Sequence, residues 1–275
     1  MKKVVVFAAV VVVAIVAAWV IMSGPKTCNY EYVIVNRTDA QCKDTSACTA
    51  MYLSYPVFSK KMFSVAKVDS INASVYRQIV GNQDKTIEQM ASEFFAEYKE
   101  YLAEREKIAL EEGDTNSFVP TWSYSAENFV VVNAPRIIVT GLRYSQYTGG
   151  AHGMYGLFYA NYDVETGRML TLDDVFSDTL ALAERMTVEF IGQKNLDAEV
   201  PFSEQGYFID SNLLPLTSNF ALLPDGVLFY YNVYEIAAYA AGPAYVKLPY
   251  EKLDGLMKFR PEFKDAEVFS ADVES

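Results

Sequence analysis

Residues 159–172 run Tyr159-Ala160-Asn161-Tyr162-Asp163-Val164-Glu165-Thr166-Gly167-Arg168-Met169-Leu170-Thr171-Leu172. Tyr159 to Val164 reads as a strand, Glu165-Thr166-Gly167 as a three-residue turn, and Arg168 to Thr171 as the returning arm of a hairpin. Gly167 supplies the left-handed conformation such a turn requires. Upstream, Trp122 to Ser125, Phe129 to Val132 and Ile137 to Tyr144 alternate with period two and predict further strands. Downstream, Asp173 and Asp174 precede Phe176 and read as acids at a helix N-terminus. A helix is expected over roughly 178–194, with Leu182, Met186 and Phe190 on one face. Phe220 to Leu223 and Val227 to Tyr231 flank Pro224-Asp225-Gly226, a second hairpin signal. Ala244 to Leu248 is expected as a last strand, and 250–258 as a short closing helix.

The first part of the chain has a different texture. Residues 28–35 and 49–58 alternate and are rich in Tyr and Val, which predicts two strands. Residues 85–112 predict one long helix. Ile87, Met90, Ala91, Phe94, Phe95, Tyr98 and Leu102 recur at three-and-four spacing, while Glu93, Glu97, Glu100 and Glu104 turn elsewhere. Gly113 stops it, and the apolar stripe is expected to be core, because strands on either side need a cover. The fold class is therefore α+β, mostly antiparallel sheet with packed helices, behind one N-terminal transmembrane helix. A seam near residue 118 divides it into a module over 25–117 and another over 118–275.

Val4 to Met22 is an unbroken run of 19 apolar residues behind Lys2 and Lys3. As a helix it spans roughly 28 Å, the thickness of a bilayer core. Met22 and Pro25 around Ser23-Gly24 suit signal cleavage poorly, so residues 1–24 read as an uncleaved anchor, with secretion or a periplasmic location as the alternative. The paired lysines place everything after Pro25 outside the cytoplasm. In that compartment Cys42 and Cys48 are expected to form a disulfide, leaving Cys28 at the far end of the first hairpin. A lipid on Cys28 is a weaker option.

The chain holds 23 Lys plus Arg against 35 Asp plus Glu, a formal charge of −12. Without residues 1–24, which carry two lysines and no acid, it is −14. That sign repels a phosphate backbone and excludes nucleic acid as the expected partner. One His and no CxxC or HExxH pattern remove the usual zinc signatures. No GxSxG, GxGxxG or Walker sequence occurs, and no nucleophile with an adjacent base can be named. No cofactor, metal or catalytic residue is expected. A wall hydrolase built on His152 or on Asp173 and Asp174 is the less favoured alternative.

Two segments stand out as candidate binding loops. In Tyr147-Thr148-Gly149-Gly150-Ala151-His152-Gly153, the glycines Gly149 and Gly150 permit a sharp turn that leaves His152 at its rim. In Val233 to Gly242, Tyr234, Glu235 and Tyr239, with Tyr245 beyond, surround small residues, and tyrosine offers broad contact area with few rotors. Tyr147, Gly149, Gly150, His152, Tyr234, Glu235 and Tyr239 are the expected ligand contacts. The alternative is a scaffold role, with His152 as a loop-fixing imidazole and the tyrosines of the second segment covering the sheet.

These segments, with Asn161-Tyr162-Asp163, Thr166-Gly167-Arg168 and Leu172-Asp173-Asp174-Val175-Phe176 in the first half and Val246-Lys247-Leu248-Pro249-Tyr250 in the second, resemble the RsiV-like C-terminal domain family. The region from Tyr52 to Phe58, through Ile71-Asn72 to the long helix, is similar to the small domain that precedes it in that family and also occurs in the peptidoglycan deacetylase PdaC. The resemblance implies an envelope-facing module of the kind that binds lysozyme in membrane anti-sigma factors. An acidic binder of a basic protein gains a faster, salt-sensitive encounter. Only Met1 to Lys3 precede the apolar run, so sigma-factor regulation by this chain alone is not expected. The alternative implied partner is a cell-wall glycan such as peptidoglycan.

Overall fold

The computed structural model of the protein describes residues 27–39, 48–60, 66–81, 85–113 and 121–269. The expected membrane span at residues 4–22, Cys42 and the seam near residue 118 lie outside these. Among the described residues no helix is long and apolar enough to cross a membrane.

Strands β1 (Asn29–Thr38) and β2 (Ala50–Ser59) form an antiparallel hairpin with ten consecutive pairs, Asn29 opposite Ser59 through Thr38 opposite Ala50. The chain then crosses through helices α1 (Val68–Val80) and α2 (Ile87–Glu112) into β3 (Ser123–Asn133), which lies parallel to β2 from Ala50–Ser123 to Ser54–Glu127. Strands β4 (Ile137–Tyr147) and β5 (Met154–Asp163) continue antiparallel, giving the order β1-β2-β3-β4-β5. After α3 (Leu172–Val175) and α4 (Thr179–Lys194), the strands β6 (Phe220–Leu223), β7 (Gly226–Tyr231) and β8 (Ala244–Leu248) make a second antiparallel sheet. The two-residue strand β9 (Glu267–Val268) returns to pair with the end of β3. The α+β class therefore holds, with one parallel pair in a mostly antiparallel arrangement.

One face of the first sheet is buried under the helices. The stripe on α2, with Ile87, Ala91, Phe94 and Tyr98, packs on Met51, Leu53 and Trp122, so its apolar side is core. A Thr86–Gln89 capping box starts that helix and Gly113, at φ 70°, ends it. Helix α1 brings Ile71 and Val75 onto Phe58, Val130, Ile138 and Tyr162. The opposite face of β3–β5 packs on the second sheet and α4, where Leu182, Met186 and Phe190 meet Phe176, Phe220 and Phe229.

Four local expectations change. Ser123–Ser125 and Phe129–Val132 belong to one strand, β3, with Trp122 just before its first residue and a register shift between Val130 and Val132. Helix α1 has no counterpart among the expected elements. The returning arm after Gly167 is reduced to a single bridge, Tyr162 to Met169, because Thr171 caps α3 two residues later. The turn itself docks on the start of α1, where a side chain on Gly167 would come within 2.8 Å of the Lys67 carbonyl oxygen. The closing helix is only a 3-10 turn over Tyr250–Leu253, since Gly255, at φ 78°, redirects the chain so that Leu256 reaches the core.

Five asparagine side chains join edges that no strand pairs. An asparagine amide presents the same donor and acceptor as a peptide group, so it can close a strand edge. Asn219 accepts from Tyr159 N–H at 2.8 Å and donates to the Leu157 carbonyl at 2.7 Å. Asn232 accepts from Leu157 N–H at 2.7 Å and donates to the same carbonyl at 3.1 Å. Asn161 reaches from β5 to β6, accepting from Leu222 N–H at 2.8 Å and donating to the Phe220 carbonyl at 2.7 Å. The second sheet is thus stitched to the β5 edge through buried amides. Asn72 does the same for Phe58 of β2, and Asn133 for Cys28, whose buried side chain and engaged N–H suit a lipid poorly.

Candidate functional site

The two loops singled out in the sequence meet. Gly149 and Gly150, at φ 98° and 95°, turn the chain between β4 and β5. Tyr147 O–H donates to the Gly150 carbonyl at 3.1 Å, closing the loop on itself and presenting His152 to solvent. From the other direction, the 3-10 turn Tyr239–Ala241 places Tyr239 on His152, with ring centroids 4.1 Å apart and planes 22° from parallel. Tyr239 O–H donates to the Gly153 carbonyl at 3.0 Å, and His152 Nδ1 lies 3.0 Å from the same oxygen. Donation from Nδ1 leaves Nε2 as an acceptor.

Two further tyrosines complete the cluster. Tyr155 meets Tyr239 edge-on at 5.7 Å, and Tyr234 lies 5.5 Å from Tyr239. Tyr234 is half exposed, at 50%, and has φ 69°, a left-handed conformation that is strained for a bulky residue. Residues held in such sparsely populated backbone regions cluster at active sites, ligand clamps and switch regions. Glu235 is exposed beside this group but turns back, its carboxylate accepting from Asn232 Nδ2 at 3.4 Å. Tyr245 does not join; it sits on β8 under Lys194. Burial chiefly, with Tyr155 and Glu235 adding to it, raises the Tyr230 phenol above its ordinary value, so Tyr230 stays a neutral neighbour.

Strand register extends the cluster across the sheet. Asn36, Tyr52, Ser125, Ser145 and Tyr155 stand opposite one another on successive strands, on the face turned away from α2. The Ser125 and Ser145 hydroxyls lie 3.0 Å apart, as shared facing requires. The next row holds Ile34, Ser54, Glu127, Arg143 and Leu157. Neighbouring strands are about 4.8 Å apart, so the first row spans roughly 19 Å and ends at the Tyr155–Tyr239 contact. Its members are half-buried or exposed. Tyr52 and Tyr155 were missed in the sequence because only register puts residues so far apart on one line.

Asp173 and Asp174 are not a facing pair of acids. Asp174 Oδ2 accepts from the Thr171 N–H and hydroxyl, both at 2.9 Å, and Oδ1 accepts from Arg168 at 2.8 Å. The Thr171 N–H first, then Arg168, hold its carboxyl down at about 2. The helix-start reading of these acids therefore matches the geometry. Among the described residues no three of His, Cys, Asp and Glu converge as a metal site would require.

With the fold and the cluster in place, known proteins supply a class. Residues 42–155 match the family described as Deacetylase PdaC, and residues 173–251 match the family described as Protein of unknown function (DUF3298). The chain thus has a PdaC-type region followed by a DUF3298 region. It is similar in structure to a DUF3298 family member from Bacteroides fragilis, at 27% identity and TM-score 0.68, over 85% of this chain and 95% of that one. A DUF3298 family protein from Pseudomonas aeruginosa shares the fold at 20% identity and TM-score 0.59, over 86% and 98% of the two chains. No curated protein matches.

Proposed function

We propose that this chain is an envelope-anchored, extracytoplasmic binding protein of the RsiV-like type, and that the cluster of His152, Tyr155, Tyr234 and Tyr239 is its contact surface. The observation that carries the reading is the convergence of two loops, far apart in sequence, on one exposed aromatic group with a strained tyrosine at its rim. The partner proposed is a basic surface protein, with lysozyme named by the resemblance and the charge of the chain favouring the encounter. Residues 4–22 provide the anchor, and a Cys42–Cys48 disulfide clamps the loop of the first hairpin. Peptide mapping without reductant reads that bond.

The test mixes the full chain, in detergent, with lysozyme at low and moderate salt. A complex that tightens at low salt is expected, and Tyr239→Ala or Tyr234→Ala weakens it by about tenfold or more, as loss of a buried aromatic anchor does. No detectable complex at either salt overturns the lysozyme reading.

A second reading rests on the transverse row. Tyr52 and Tyr155, separated by the hydroxyls of Ser125 and Ser145 and preceded by the Asn36 amide, combine ring faces with hydrogen-bonding groups, a pattern suited to a wall glycan. Sedimentation with cell-wall sacculi distinguishes the two: retention lost on Tyr52→Ala supports the glycan, and a chain that stays in the supernatant refutes it. Both readings are of binding and name no catalytic residue.

A further inference from the structure

We propose that the outer edge of β1 pairs with β1 of a second copy of this chain, antiparallel and centred on Ile34. Among the described residues no strand pairs with that edge, since the order of the sheet begins at β1. The strand is long and regular, with ten unbroken pairs to β2, and its sequence Asn29-Tyr30-Glu31-Tyr32-Val33-Ile34-Val35-Asn36-Arg37-Thr38 holds no Pro, Lys or bulge. Those are the devices that usually keep an edge from pairing. At its middle Ile34 is 62% exposed and Val33 37%.

The register follows from hydrogen-bond parity and charge. Asp39 N–H donates to the Thr49 carbonyl at 3.1 Å, so odd-numbered residues of this ladder bond to β2. Even-numbered residues from Tyr32 to Thr38 then turn their N–H and C=O outward. An antiparallel partner must match even with even, which limits the choice to a few registers. Centring on Ile34 sets Tyr32 opposite Asn36, Val33 opposite Val35 and Glu31 opposite Arg37 of the second copy, twice by symmetry. Glu31 and Arg37 then occupy a pair without backbone hydrogen bonds, where opposed side chains come closest. Moving the centre to Val35 sets Glu31 against Asp39, a repulsive pair. Moving it to Val33 sets Glu31 against Val35. In the single chain the Arg37 guanidinium donates to the outward carbonyl of Asn36 at 3.1 Å. Pairing gives that carbonyl to the second strand and the guanidinium to Glu31.

A strand pair of this length is a small interface of the transient class, so the experiment both traps and perturbs it. Full-length chain in detergent carries Ile34→Cys or, as control, Thr38→Cys, under mild oxidant. At the proposed register the Ile34 positions face each other at about 5.5 Å between Cα atoms, within disulfide range. The two Thr38 positions lie more than about 20 Å apart. A covalent dimer is expected from Ile34→Cys and not from Thr38→Cys. Sedimentation should show Glu31→Arg and Arg37→Glu each weakening the dimer by about tenfold or more, and the double exchange restoring it. These positions are exposed, so the variants fold. A chain that stays monomeric and does not cross-link overturns the proposal. So does a dimer indifferent to both charge reversals, or a monomer that instead takes up a foreign β-strand peptide on this edge.

Discussion

The two edges of the first sheet are finished in opposite ways. On the β5 side, the outward N–H groups of Leu157 and Tyr159 and the Leu157 carbonyl all bond to buried amides, while Leu170 and Arg168 pair with Asn161 and Asp163 beyond them. On the β1 side, residues 31–34 and 36–38 are exposed, with two β-branched apolar side chains at the centre. An unpaired peptide group in the interior costs about 1–3 kcal/mol, whereas one facing water costs almost nothing. The amides were therefore required where the second sheet buries the edge, and an open edge remains where nothing described covers it.

The largest effect that tests this contrast is expected from Asn161→Ala. It strands the Leu222 N–H and the Phe220 carbonyl, both bonded to that amide, in the fully buried core. Two unmet groups predict a loss of about 2–6 kcal/mol in urea unfolding. A loss below about 1 kcal/mol would mean that β5 and β6 close on each other without the amide, and the account of that edge would fail.

A smaller effect is expected from a polar link at the surface. Asp174 holds its proton at about 2, against an ordinary 3.8, because the Thr171 N–H and Arg168 favour the charged form. A carboxyl lowered by folding stabilises the native state above its unfolded value, and that contribution disappears as pH falls through the folded one. The unfolding midpoint of the native chain should therefore drop between pH 4 and 2 more steeply than that of Asp174→Asn. Identical acid limbs would show that the cap does not hold the carboxylate in solution.

These differences also explain what could be read from residues alone. The stripe of α2, the Leu182, Met186 and Phe190 face of α4 and the hairpin at Pro224-Asp225-Gly226 are local patterns, and local patterns survive in one dimension. Helix α1 carried a signal too, in Val68, Ile71, Val75 and Ile79, but those residues are all β-branched and favour strand by propensity. Asn161 looked like one polar position in an alternating strand, because its partners lie about sixty residues later. Glycines around a lone His, and tyrosines among alanines, were enough to mark both loops of the candidate site. Tyr155 and Tyr52 were not marked, since the sequence does not contain the register that aligns them.

The smallest effect is the sharpest test of the other edge. Ile34→Lys replaces an apolar residue on a strand with a cation, a change that would be severe at Leu157 or Tyr159. On β1 the new ammonium enters water, so the unfolding free energy of the dilute chain should change by no more than about 0.5 kcal/mol. If the edge pairs with a second copy, a difference emerges only as concentration rises. The native chain then gains stability from association and the variant, with two lysines forced together at the centre of the strand pair, does not. A large loss at high dilution would mean instead that Ile34 is covered within the single chain. In that case both edges are closed from inside, and the asymmetry that leaves β1 available for pairing does not exist.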